Sequence, residues 1–313
     1  MYYPYLRARQ FELIALRELA QEGAIRDLIT PILEPVKDAV NNLNLAFNIF
    51  RQCDQSAYLI VNSTFVKGLE DPNHFISYIK NVDDEFTWLR PAFIYSNNSE
   101  YIQRAIVDND IKNCMLICSN DVDSSDRGFL ELIAMQQLTA FTVEDPGRNR
   151  SLNRVLKNTG KTFIRLDDEF EPQARNQDFL ALEERKFSEE QAYFKEDGYD
   201  GFSNYTTLPK AFTEGGSAPR AVVIHLTYLQ NIKEIWIKHF TSTTNDSIAN
   251  VQGKFAEAAE KAVGFCRAQG LTNSAIVELE KYFDEQHYPG LGTVKKVSIK
   301  NHLLVVCDFL RSV

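Results

Sequence analysis

A chain of 313 residues with 44% hydrophobic content can bury a full core, as one large α/β domain or two smaller ones, without staples. Its 34 Lys and Arg stand against 43 Asp and Glu, a formal net charge of -9. That balance argues against a broad electrostatic grip on nucleic acid or an anionic membrane, which relies on clustered cations.

The N-terminal stretch "MYYPYLRARQ" has no apolar segment behind a basic one, so no signal peptide is expected. No run approaches the roughly 18–20 apolar residues that span a bilayer. A cytoplasmic, reducing location follows as the expectation. The five cysteines (Cys53, Cys114, Cys118, Cys266 and Cys307) form no C-x-x-C pair, and most lie in apolar runs such as "NCMLICS". They read as small buried hydrophobes, not as disulfide or zinc partners.

In chain order, residues 2–8 are extended and 10–22 helical. Residues 29–36 are extended and 38–52 helical. Strands follow at 57–63, 90–96, 113–119, 138–145 and 161–168, each trailed by a helical pattern. The strand runs are short and rich in β-branched and aromatic residues. The helical runs repeat apolar residues at i, i+3 and i+4, as in Leu13, Leu16 and Leu19. Ser99, Asp126 and Ser151 stand where helices should begin. A long charged helix is expected within 176–195, with "EERKFSEEQAYFKED" as its solvated face.

Alternation of strand and helix implies βαβ units and a parallel sheet. Seven units plus an eighth strand at 198–207 make an α/β, (β/α)8 TIM-barrel-like fold. The segment 221–229 is the rival for the eighth position. A doubly wound sheet is the runner-up, but its G-x-G-x-x-G fingerprint is absent. After 208 the pattern changes. Residues 221–229 and 234–242 predict a C-terminal β-hairpin, and 252–270, 273–286 and 297–312 predict helices. The expected organisation is a barrel core over 1–207, with 208–313 closing or capping it as part of the same domain.

Strand residues alternate between the interior and the helix layer, and the outer set should be apolar. On that rule Arg7, Glu34, Glu144, Arg165 and Asp167 face inward, with Asn62 and Tyr95 as further inward candidates. Barrel interiors are filled mainly by Val, Ile and Leu, so charge there needs an explanation. One is a salt-bridged plug of the mouth. A second is a site for a small polar or anionic ligand gripped by arginine. A third is a divalent metal held by Glu34, Glu144, Asp167 and Asp168, with bound water as nucleophile.

His225 and His239 fall on the two hairpin strands as near neighbours but lack a third ligand, and they read as structural. "PGLG" (289–292) reads as a turn. No H-E-x-x-H, G-x-S-x-G or Walker A pattern occurs.

The opening "YYPYLRARQFELIALREL", followed by "ITPILEPVK", resembles the start of the beta protein family of phages and bacteria. Tyr3, Pro4, Leu6, Arg7, Glu12, Pro31, Ile32, Leu33, Glu34 and Pro35 carry the match. The stretches "EDGYDGFSNY", "AVVIHLTY", "KHFTS" and "YPGLGTVKK" with "NHLLVV" are similar to a bacterial branch of it. Asn204 departs from the acidic residue usual there, which weakens a catalytic role for that position. The resemblance transfers no catalytic residue. It implies a two-gene module with a nuclease-like partner, in conflict with phage or mobile elements. Three functions stay open: a ligand-binding partner protein, a metal-dependent hydrolase of phosphate esters or nucleotides, and a purely structural interaction protein.

Overall fold

The computed structural model describes residues 1–68, 71–212 and 219–313. The barrel strands are β1 (Tyr5–Leu6), β2 (Ile32–Leu33), β3 (Ala57–Ile60), β4 (Leu89–Tyr95), β5 (Cys114–Cys118), β6 (Leu138–Glu144), β7 (Thr162–Asp167) and β9 (Gly201–Asn204). They pair in that order, all parallel. A parallel bridge between Tyr2 and Phe202 joins the last strand to the first. There the Tyr3 N–H donates to the Phe202 carbonyl at 2.9 Å, and the Phe202 N–H to the Met1 carbonyl at 3.3 Å. The parallel sheet is thus nearly closed into a (β/α)8-like barrel, and its eighth strand lies within 198–207, not 221–229.

Helices α1 (Gln10–Gln21), α2 (Asn41–Gln52), α3 (His74–Val82), α4 (Ser99–Asp108), α5 (Arg127–Ala134) and α6 (Arg150–Lys157) follow successive strands. Helix α2 shows why these segments are helical. Leu43, Ala46, Phe47 and Phe50 are buried at i, i+3, i+4 and i+7, leaving the polar residues outside. The Asp126 carboxylate caps α5 by accepting the Phe129 N–H at 2.7 Å. Ser99 and Ser151 sit inside the first turns they were expected to cap. The cap of α6 is Asn149, which accepts the Leu152 N–H.

The expected charged helix within 176–195 is not formed. A 3-10 turn (Asn176–Leu180), strand β8 (Glu184–Ser188) and short helix α7 (Glu190–Tyr193) take its place. Strand β8 pairs antiparallel with β11 (Glu234–Thr241), which also pairs with β10 (Val223–Gln230) in the predicted hairpin. Ladder bonds and burial of Phe187 override the helix-favouring charges around it. Helices α8 (Val251–Gln269), α9 (Ser274–Asp284) and α10 (Leu291–Ser312) complete the C-terminal part.

The contacts divide the chain into two units. The first holds Met1–Leu13, Arg26–Asp168 and Tyr193–Asn204, and with them the barrel strands. The second holds Ile14–Ile25, Glu169–Ala192 and Tyr205–Val313. Within the second unit, α10 protects the free edge of β10. The His225 N–H donates to Ser298 Oγ at 3.3 Å, and Asn301 Nδ2 donates to the Thr227 carbonyl at 2.8 Å.

Candidate functional site at the barrel rim

Cross-strand register identifies the inner face. Tyr5 pairs with Ile32, Ile32 with Tyr58, and Tyr58 with Arg90. Further round, Ile94 pairs with Ile117, Ile117 with Thr142, Thr142 with Ile164, and Ile164 with Gly201. Gly201 is needed here, because a Cβ would lie 2.5 Å from the Tyr3 ring. Arg7, Glu34, Asn62 and Glu144 share this inner face by alternation. At its lower end Arg90 donates to the Tyr58 hydroxyl at 3.2 Å and stacks on that ring. Burial, foremost, pushes the nearby Tyr3 phenol up to about 12.

Arg7 and Glu34 meet just past the ends of β1 and β2. Glu34 is 2% exposed and Arg7 8%. Glu34 Oε2 accepts from Arg7 Nη1 at 2.5 Å and from the Tyr5 hydroxyl at 2.6 Å. The Ser63 hydroxyl, after β3, lies 3.2 Å from Glu34 Oε1 and 2.7 Å from the Pro35 carbonyl, one proton between two acceptors. The Arg7 guanidinium packs over two rings, 4.9 Å from the centroid of Tyr5 and 5.1 Å from that of Phe65. Burial raises the Glu34 carboxyl above the usual carboxylate range. Arg7's charge and the Tyr5 and Ser63 hydrogen bonds pull only partly the other way.

The other inward candidates have different fates. Asn62 exchanges two hydrogen bonds with the backbone of Ile94, each 2.8 Å, and so extends the ladder between β3 and β4. Glu144 ends β6 and is half-buried.

Three expectations of inward orientation are corrected. Tyr95 faces the helix layer, its ring 5.0 Å from that of Phe129 on α5. In β7 it is Ile164 and Leu166 that fill the interior, so Arg165 and Asp167 face out. Arg165 binds Asp167 through two hydrogen bonds of 2.8 and 3.0 Å, reaches Asp197 at 3.3 Å and stacks on Tyr199. The rule that the outer position is apolar fails because a bidentate ion pair satisfies it there. With Asp167 on the far face, the four proposed metal ligands do not share one face of the sheet. Among the described residues no group of three or more His, Cys, Asp or Glu could hold a metal ion.

Ser63 and Phe65 went unread in the sequence, because loop residues after a strand carry no periodicity. Nothing in the sequence pattern marks the Tyr5 hydroxyl as a donor to Glu34.

The second unit contains two further polar features. His225 and His239 are directly opposed in the hairpin, with Nδ1 atoms 2.7 Å apart, packed against Phe170 and Phe179. Burial, first, then the charges of Arg185 and Lys238, lower His239 to about 4. Burial, then His239, holds His225 well below the ordinary range. Separately, a cavity of about 350 Å³ is lined by Arg175, Asn176, Gln177, Arg220 and Ile248 among others. Arg175 is engaged with Asp178, and Asn176 with the Ala221 carbonyl.

No helix among the described residues is long and apolar enough to cross a membrane. In comparisons with known proteins, no family model, curated protein or solved structure matches the chain.

Proposed function

We propose that the protein is a binding barrel, and that the rim cluster of Tyr5, Arg7, Glu34 and Ser63 recognises a small polar or anionic molecule. The observation that carries this is the buried Arg7–Glu34 pair, bonded at 2.5 Å, beside the C-terminal strand ends where barrel sites lie. A buried ion pair adds little net stability compared with apolar packing, so stability alone is a weak reason for one. A carboxyl with raised proton affinity in such a place has the character of a working group. The hydrolase reading has less support, since Glu34 and Asp167 lie on opposite faces of the sheet. The motif resemblance supports a bacterial module in which this barrel senses a ligand and a nuclease-like partner acts. That role in phage defence is part of the proposal and rests on the resemblance alone.

The direct Arg7–Glu34 contact also favours a second reading, in which the pair only plugs the barrel. A thermal-shift panel of phosphate, nucleotides, dicarboxylates, sugars and divalent cations separates the two. At least one compound should raise the melting temperature of the full chain, by up to about 2.7 kcal/mol of stabilisation at a hundred times its Kd. Arg7→Gln should lose that rise, and Ser63→Ala should reduce it. A flat response across the panel, or a rise that survives Arg7→Gln, leaves the plug as the better account.

A further inference from the structure

We infer that Glu34 occupies the seat of an anionic ligand: a carboxylate or phosphate monoester entering the rim takes the Tyr5 and Arg7 donors in its place. The inference rests on the ligand-binding reading above and gives that ligand its chemical class. A guanidinium N–H and a phenol O–H converging on one oxygen, with a serine hydroxyl near the second oxygen, is the donor set protein sites offer to a bound carboxylate. Here the carboxylate is the protein's own. The guanidinium also packs over the rings of Tyr5 and Phe65, contacts that hold it in position if Glu34 turns away. Phe65 is half-buried, and Thr64 and Lys67 beside it are exposed, so the segment over Arg7 borders solvent.

Displacement has a definite proton balance. Among the described residues, three groups face Glu34: Tyr5 and Arg7 from the β1 segment, and Ser63 from the loop after β3. Of these only Arg7 is charged at neutral pH. While Glu34 holds the seat, Arg7 is neutralised by an ionised carboxylate. Once a ligand anion replaces it, Glu34 no longer has the cation beside it and is left in a poorly solvated rim. It takes up one proton from solvent and becomes the neutral acid. One anion and one proton therefore enter together, and no covalent bond changes. Burial already biases Glu34 toward that acid. Affinity for an anion then rises by up to about tenfold for each unit the pH falls, while free Glu34 is ionised and bound Glu34 protonated.

Isothermal titration of the full chain tests this with two probes that do not titrate between pH 5.5 and 7.5. Acetate stands for a carboxylate ligand and sulfate for a phosphate ester; the tighter probe identifies the source. Wild type should bind at least one of them more weakly as pH rises. Repeating the titration in buffers of different ionisation enthalpy should show close to one proton taken up per anion. Glu34→Gln is close in size to the protonated acid. It should bind about tenfold tighter at pH 7.5, with a flat pH profile. Tyr5→Phe should weaken binding in both backgrounds.

Weaker or unchanged binding in Glu34→Gln overturns the inference, as does zero proton uptake by wild type. The uptake measurement needs no variant, so a poorly folding Glu34→Gln does not shield the idea. If neither anion binds while a neutral compound still stabilises the protein through Arg7, the rim is a site and Glu34 is not a placeholder. If nothing binds at all, the ligand-binding reading falls with it.

Discussion

His225, His239 and His302 are all held neutral by burial, with His239 lowered to about 4 and His302 to about 3. In the unfolded chain each would titrate near 6.5. A folded value below the unfolded one means the unfolded state binds more protons as the pH drops. Stability is therefore lost from just below pH 6.5 down to the folded pKa. At about 1.4 kcal/mol per pKa unit, His239 alone sets a ceiling of about 3.5 kcal/mol. Urea unfolding between pH 7 and pH 4 should show a steady fall, starting well above the range where ordinary carboxylates titrate. Stability that stays flat down to pH 5 would mean that these rings are not neutral in the fold. The histidine pairing itself was legible, because the hairpin register follows from the two strand patterns. What the sequence hides is the orientation of Tyr95, Arg165 and Asp167. In β7 both parities contain a plausible inner residue, and only the neighbouring strands decide between Ile164 and Arg165.

At the scale of elements, the barrel's closure depends on a short eighth strand with glycine at its inner position. Gly201→Ala would push a methyl to 2.5 Å from the Tyr3 ring and 3.0 Å from the Met1 carbonyl. Tyr3 belongs to the segment that closes the ring against Phe202, so it has little room to give. A loss of about 1–3 kcal/mol is expected in denaturant unfolding, the usual cost of overpacking. Asp126→Ala should cost about 1 kcal/mol through the lost cap of α5, with the rest of the barrel unchanged. The strand–helix alternation that predicts these elements is strong because each one buries a face with its own period. Strand β8 escapes that logic. Its sequence is mostly charged, and it is a strand because β11 offers it a ladder. Pairing of that kind, between residues about fifty positions apart, leaves no local signature.

For the molecule as a whole, the second unit is assembled from segments far apart in sequence. Lys296 and Lys300 on α10, 8% and 4% exposed, are neutralised by Glu18 and Glu22 near the start of the chain. Lys296 also binds Glu278 at 2.6 Å. For Lys300, burial lowers the pKa but Glu22 and Glu18 outweigh it, so the ammonium is held above its ordinary value. The composition change near residue 208 gives no sign of these long-range returns, because complementary charges so far apart have no periodicity to betray them. A fragment of residues 208–313 would therefore begin with three defects. Strand β11 would lose its β8 partner, Lys300 would lose both acidic partners, and Lys296 would keep only Glu278. A buried cation stripped of its partner is costly, on the order of 3–5 kcal/mol, of which the partial exposure of Glu18 and Glu22 returns some. That is a large part of the stability of a typical domain. The fragment should show no cooperative thermal transition by circular dichroism, whereas the full chain should. Adding Lys300→Met to the full chain should lower its stability by about 2 kcal/mol without abolishing the transition, since β8 and Glu278 remain in place. If 208–313 melts cooperatively by itself, the links to Glu18, Glu22 and β8 are not what holds the C-terminal helices and hairpin together.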